Sequence, residues 1–255
     1  MNGFRRHPFR VTLRALWFAG ELGLAGVDFV INVIFAPKVP LQRARALWLQ
    51  QTSRRILRVL QVDIRTNGPI PLKGLIVSNH LSYVDILVLS TVTPTVFIAK
   101  SDVKRWPVFG WYASMGGSLF VERTRRTDVA RLNREVAHML NSGSLITLFP
   151  EGTSSDGLQV LPFKSSLLEP AARVDHPLSA ACIGYTLPDG DVSRDVCYWG
   201  DMTLLPHLLN LFSKPRLSAT VSFTRLPPTQ NDRKELAREL HSHVVRLKES
   251  ADALP

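Results

Sequence analysis

Apolar positions divide the chain into two unlike parts. Across residues 15–35 nearly every position is apolar, close to the roughly 20 residues a helix needs to span a bilayer. Glu21, Asp28 and Asn32 interrupt the run. At about 100° per residue they fall, with Arg14, on one narrow stripe of a helix. Ala19, Gly23 and Gly26 fall on the opposite side, a small-residue face of the kind that lets helices approach closely. Residues 41–60 form a second predicted helix, in which Leu49, Ile56 and Leu60 alternate with Arg45, Arg54, Arg55 and Arg58. Beyond Leu60 the period changes. Strand-like runs occupy 62–65, 75–78, 96–99, 118–122, 145–149, 180–185, 196–199 and 217–223. Helical patterns fall at 86–91, 128–141, 164–173 and 203–212, and an amphipathic helix at 232–247 places Leu236, Leu240, Val244 and Leu247 on one face. Strands alternating with helices predict an α/β fold: a mixed, largely parallel sheet flanked by helices. No internal repeat or Gly/Ser linker divides it, so residues 1–60 read as membrane-association helices and 61–255 as one catalytic domain.

Charge sharpens the reading of the first part. The net charge is +10, and Arg5, Arg6, Arg10, Arg14, Lys38, Arg43, Arg45, Arg54, Arg55 and Arg58 crowd the first sixty residues against Glu21 and Asp28 alone. A basic amphipathic helix beside a hydrophobic one is suited to an anionic lipid surface, and Trp17 and Trp48 are placed to sit at headgroup level. The hydrophobic helix can lie in one leaflet, span the bilayer with its polar line against protein, or be a core helix; membrane insertion is the expectation. The segment lacks the small-residue cleavage site of a secretory signal. Nucleic acid is not expected as a partner, because aromatics do not interleave with the basic residues as stacking requires. The two cysteines, Cys182 and Cys197, have no metal-ligand spacing and read as reduced core thiols of a cytosol-facing protein.

The chemistry gathers at the ends of strand-like runs. In Asn79-His80-Leu81-Ser82-Tyr83-Val84-Asp85 a histidine lies where a strand turns into a helix, with one carboxylate near enough to fix its tautomer. On an ideal helix five residues turn through about 500°, so His80 and Asp85 meet only if His80 precedes the helix proper, with Asn79 or Ser82 as cap. The plain alternative is a capping box, Ser82-x-x-Asp85, in which Asp85 only accepts a backbone N–H. In Gly117-Ser118-Leu119-Phe120-Val121-Glu122-Arg123 an arginine at a strand end can grip a phosphate with its planar fork. In Phe149-Pro150-Glu151-Gly152-Thr153-Ser154 a glycine turn follows a carboxylate. Phe163-Lys164-Ser165-Ser166 opens a helix whose N–H groups and lysine face an anion, and Lys100 adds a charge beyond the 96–99 run.

In this order the pieces resemble the glycerolipid acyltransferase family, typified by the 1-acyl-glycerol-3-phosphate acyltransferases. Asn79, His80 and Asp85 match its Asn-His-x4-Asp motif, Gly117, Phe120 and Arg123 its Gly-x-x-Phe-x-x-Arg motif, and 149–153 its Phe-Pro-Glu-Gly-Thr motif; Phe163-Lys164, and Lys100 with Pro107 and Gly110, match further family positions. The resemblance covers about residues 62–225. It implies transfer of a fatty acyl group from a thioester of coenzyme A or acyl carrier protein to the hydroxyl of a lysophospholipid, first 1-acyl-glycerol-3-phosphate giving phosphatidic acid. His80 would be the general base and Asp85 its orienting partner. Asn79, Lys100, Gly117, Phe120, Arg123, Glu151, Gly152, Thr153 and Lys164 would bind substrate, with Arg123 and Lys100 as anion contacts. A thioester is already activated, so direct transfer is expected, with no metal or further cofactor, at the cytoplasmic face of a bacterial inner membrane. Ser154 stands where many phosphatidate-forming members carry arginine. That weakens the case for a phosphate acceptor and raises a zwitterionic one such as lyso-ornithine lipid. The family's Val-Pro motif has no good match in Asp175-His176-Pro177-Leu178. A lipid-binding protein without turnover is the other alternative. A serine hydrolase is disfavoured because no Gly-x-Ser-x-Gly occurs.

Overall fold

The computed structural model describes residues 7–106, 108–122, 126–172, 176–227 and 232–252. Seven strands form one sheet in the order β1-β7-β6-β2-β5-β3-β4. They are β1 (Val62–Asn67), β2 (Gly74–Ser78), β3 (Val96–Lys100), β4 (Leu119–Val121), β5 (Leu145–Leu148), β6 (Leu178–Thr186) and β7 (Leu217–Leu226). Five strands, β6 to β4, run parallel to one another. β7 turns back antiparallel on β6, and β1 runs parallel to β7. The mixed, largely parallel sheet expected from the alternation is present.

The central strands are apolar throughout because both faces are covered. All five residues of β2 are buried. Its side chains alternate between two cores, as the twofold period of a strand requires: Ile76 enters one, Leu75 and Val77 the other. The first core is closed by α1 (Pro8–Phe29), α2 (Leu41–Val59), α3 (Val84–Val92) and α8 (Leu204–Ser213). The second is closed by α5 (Arg126–Asn141) and α9 (Arg233–Asp252). Shorter helices α4 (Phe109–Met115), α6 (Glu169–Ala172) and α7 (Val192–Asp195) complete the chain.

Two predicted elements differ. Residues 196–199 form no strand; they are an irregular segment after α7. A four-residue apolar run does not distinguish a strand from buried coil, and Val196 and Cys197 are buried as coil. The 164–173 helix is broken into a 3-10 turn at Ser165–Leu167 and α6.

α1 opens with Pro8 in its first turn, where the missing N–H costs nothing. It continues into a π-helical stretch at Val30–Phe35. Together Pro8–Phe35 is long and apolar enough to cross a membrane. One face is buried through Val11, Phe18, Ala25, Phe29 and Val33. The other exposes Phe9, Leu13, Leu16, Leu24, Ile31, Ile34 and Phe35. Three of the four stripe residues face protein, and Asn32 is exposed. Arg14 donates to the carbonyls of Phe212, Lys214 and Pro215 at the end of α8. Glu21 and Asp28 pair with Arg55 of α2. Ala19 and Gly23, expected as a helix-approach face, are exposed, and Gly26 comes near Tyr112. Trp48, expected at headgroup level, is buried and donates to the Ala25 carbonyl at 2.8 Å, whereas Trp17 is exposed. Cys182 and Cys197 are both buried and are not disulfide-bonded.

Candidate active site

The C-terminal ends of the parallel strands share one edge of the sheet, where α/β folds place ligands. His80 lies there, in the turn between β2 and α3. Its position ahead of the helix, whose N-cap is Tyr83 rather than Asn79 or Ser82, is what lets it meet Asp85. The His80 Nδ1 to Asp85 Oδ2 distance is 2.8 Å.

Asp85 is completely buried and amply hydrogen-bonded. Its Oδ2 accepts from His80 Nδ1 and from the amides of Leu81 at 2.6 Å and Ser82 at 3.0 Å. Its Oδ1 accepts from the Tyr185 hydroxyl at 2.6 Å. One carboxylate thus makes both contacts: it accepts from the Ser82 N–H, as in a capping box, and meets the His80 ring. The reciprocal half of a capping box is missing: Ser82 Oγ is buried without a partner. Oδ2 already accepts from two backbone N–H groups, so it faces Nδ1 as an acceptor and Nδ1 is the donor. Nε2 is then the lone-pair nitrogen, and among the described residues it has no protein partner. The ring is pressed against Phe149, with centroids 4.2 Å apart and planes 15° from parallel.

The turn is fastened on three sides. His80 N–H donates to Glu151 Oε1 at 3.1 Å. The His80 carbonyl accepts from Ser155 N at 3.0 Å. The Leu81 carbonyl accepts from Tyr198 N at 2.8 Å, so the coil at 196–199 is one of the clamps. Glu151 is 2% exposed, and its Oε2 is buried without a partner. Burial pushes its carboxyl up to about 8, against the opposing pull of the His80 and Leu161 amides and with a further push from the Asp85 charge. At neutral pH it is largely a neutral acid.

Other expected site residues are distributed unevenly around this centre. Asn79 is buried and bound on both sides to the backbone of β6: Nδ2 donates to the Ile183 carbonyl at 2.9 Å and Oδ1 accepts from Ile183 N at 2.8 Å. Its side chain is thus bonded on both sides to the sheet. Gly152 takes φ +77 in the turn after Glu151, a region costly for other residues, and its N–H donates to the Phe149 carbonyl at 3.2 Å. Thr153 and Lys164 are exposed; the Lys164 amide donates to the Pro150 carbonyl at 2.9 Å, tying Lys164 to the same corner. Lys100 ends β3, two strands from β2 in the sheet, about 10 Å at ordinary strand spacing. It is exposed and paired with Asp102. Gly117 has φ +83 at the junction into β4, where a side chain would meet Gln42 and Arg45 of α2; it shapes the backbone. Phe120 is half-buried in β4, its carbonyl accepting from Arg131 at 3.0 Å. Arg123, the expected phosphate grip, and Pro107 lie outside the described residues.

Sequence reasoning missed Tyr185, Phe149 as a stacking surface, and a group beside the turn. In that group Tyr83 Oη lies 3.0 Å from His207 Nδ1, and His207 Nε2 lies 3.0 Å from the Cys197 carbonyl. The carbonyl requires Nε2 to donate, so Nδ1 accepts from Tyr83. Burial lowers the His207 pKa, which keeps this tautomer neutral. No local signal marks these residues: Tyr185 lies 100 positions from Asp85 and His207 lies 124 from Tyr83. Among the described residues no three of His, Cys, Asp and Glu gather to hold a metal ion.

The chain is similar in sequence and fold to known acyltransferases. Residues 60–184 match the family model described as Acyltransferase. The chain is 38% identical over 216 residues to the lyso-ornithine lipid O-acyltransferase of Brucella abortus, covering 78% of this chain and 80% of that protein. It is 32% identical over 176 residues to the 1-acyl-sn-glycerol-3-phosphate acyltransferase of Neisseria meningitidis, covering 68% of this chain and 69% of that protein. The crystal structure of the 1-acyl-sn-glycerophosphate acyltransferase of Thermotoga maritima superimposes with a TM-score of 0.66 at 21% identity, over 95% of this chain and 98% of that one, showing a shared fold. By its sequence, the chain belongs to the acyltransferase family.

Proposed function

We propose that this chain transfers a fatty acyl group from a thioester to the hydroxyl of a lyso-lipid, with His80 as general base. The observation that carries the reading is the 2.8 Å contact between His80 Nδ1 and a buried, fully bonded Asp85. It leaves Nε2 as the basic atom, and Asp85 stabilises the imidazolium that forms. The acceptor hydroxyl gives its proton to Nε2 as its oxygen attacks the thioester carbonyl. The tetrahedral intermediate collapses with cleavage of the C–S bond, and the imidazolium returns the proton to the departing thiolate. No acyl-enzyme is needed. The donor is a thioester of coenzyme A or acyl carrier protein. Lys100 and Arg123 are the proposed anion contacts, with Gly152, Thr153 and Lys164 near the acceptor.

For the acceptor, the relatives named above support both lyso-ornithine lipid and 1-acyl-glycerol-3-phosphate. One observation favours the first: the Ser154 hydroxyl, at the position of the usual arginine, is turned inward onto the Tyr198 carbonyl and offers no cation to a phosphate. The exposed apolar face of α1, with the exposed Arg43, Arg54 and Arg58 of α2 beside it, supports insertion into an anionic membrane from its cytoplasmic side.

The test is acyl transfer by purified, detergent-solubilised protein, with one labelled acyl thioester offered to both lyso-lipids in parallel. Greater turnover of lyso-ornithine lipid is expected. Product from 1-acyl-glycerol-3-phosphate alone would reverse the acceptor assignment, and product from neither would refute lyso-lipid transfer.

A further inference from the structure

We infer that Tyr185 is a positioning residue for acyl transfer: its hydroxyl fixes the free oxygen of Asp85 and so sets the orientation and basicity of His80. The inference rests on the reading of His80 as the base. The two oxygens of Asp85 are unequally held. Among the described residues Oδ2 has three donors, all from the 80–82 turn, whereas Oδ1 has Tyr185 alone. Tyr185 is thus the contact that ties the dyad to the sheet rather than to its own turn.

The approach of Tyr185 is itself controlled. Asn79, which precedes the base, binds Ile183 through both its donor and its acceptor. Ile183 and Tyr185 lie two residues apart on β6 and enter the same core, so locking one places the other. The first motif residue and a tyrosine distant in sequence form one device: Asn79 sets the position of β6 against the end of β2, and Tyr185 delivers a proton donor to Asp85. The ionisable groups around Tyr185 besides Asp85 are Cys197 and Tyr83, and burial pushes both upward so that they remain neutral. Asp85 is the charge that the hydroxyl answers.

Removing the hydroxyl has a definite sign. Asp85 loses one of its donors and presents more charge to His80. Imidazolium is then favoured, and the acid limb of the pH–rate profile moves to higher pH. The less firmly held carboxylate also orients the ring less well, and turnover falls.

The experiment compares wild type, Tyr185→Phe and His80→Ala in the labelled-thioester assay from pH 5 to 9, with thermal melts as a check on folding. Tyr185→Phe keeps the ring and its packing. Its kcat is expected to fall about tenfold, a fraction of the roughly 10²–10⁴-fold that a positioned base supplies. The acid limb of kcat/KM is expected to rise by about half a pH unit or more. A wild-type acid limb in Tyr185→Phe, with or without reduced turnover, would overturn the inference, since packing alone does not move that limb. Imidazole titration by NMR in the same variant gives a second reading, with a raised His80 pKa expected and an unchanged one contradictory. If His80→Ala is as active as wild type, the base assignment fails and this inference with it; if His80→Ala is inactive while Tyr185→Phe titrates normally, this inference alone fails.

Discussion

The helical pair α1–α2 and the turn between β2 and α3 both hold charged groups away from water, in contrasting ways. On α1 the stripe of Arg14, Glu21 and Asp28 serves attachment. Arg14 covers carbonyls at the end of α8, and the two acids meet Arg55. Those acids and Arg55 remain partly open to solvent, so their pairing is screened and loosely constrained. At the β2 turn the carboxylate of Asp85 is fully enclosed, and besides the His80 ring its donors are backbone amides and the buried Tyr185. The first arrangement holds a helix with an otherwise exposed apolar face to the domain. The second presents one nitrogen in one tautomer. Attachment tolerates imprecise charge pairing; the general base proposed for His80 would not.

Breaking the enclosed site should have the largest effect. Asp85→Asn keeps the shape but cannot accept from Nδ1 in the same way, and its amide favours the wrong His80 tautomer. Turnover in the thioester assay is expected to fall by about 10³–10⁴ with little change in the melting curve. Loss within tenfold would contradict the dyad. Breaking the attachment should act on stability instead. Arg14→Ala leaves the carbonyls of Phe212, Lys214 and Pro215 without their donor, at a cost of about 1–3 kcal/mol in chemical unfolding. The product ratio between the two acceptors should stay the same.

Glu151 joins the two behaviours, being buried like Asp85 but with one of its oxygens left without a donor among the described residues. Its folded-state pKa is raised by burial to about 8 from an ordinary carboxyl value of 4.5. Its contribution to stability is complete below the lower value and is lost as pH rises towards the upper one. Glu151→Gln should flatten the decline in stability across that window, measured by denaturant titration at several pH values, while keeping an acceptor for the His80 N–H. An unchanged slope would mean that Glu151 is ionised throughout. The smallest expected effect is at Ser154. Ser154→Arg supplies a planar cation beside the turn, and kcat/KM for the phosphate acceptor relative to lyso-ornithine lipid is expected to rise about 3- to 10-fold. No shift in that ratio would remove Ser154 as a specificity marker.

The same contrast governs what could be read from sequence. The polar stripe of α1 and the His80/Asp85 pair were legible because helix period and a five-residue spacing are local properties. The destinations of those side chains were not. Nothing local says that Arg14 reaches the end of α8 nearly two hundred residues on, or that Trp48 turns inward to Ala25. Asn79 illustrates the limit most clearly. The motif marks it as important, and only the pairing of β2 with β6 shows that it binds a strand. The coil at 196–199 was misread because its apolar residues are buried for the sake of the turn they clamp. Sheet order was equally hidden, since β1 pairs with β7 across most of the chain.

The most direct test of the account is acyl transfer by His80→Ala, measured beside wild type with one labelled thioester, the preferred lyso-lipid and matched melting curves. The account predicts an intact fold and a rate lower by about 10²–10⁴. A folded His80→Ala protein that turns over like wild type would contradict it.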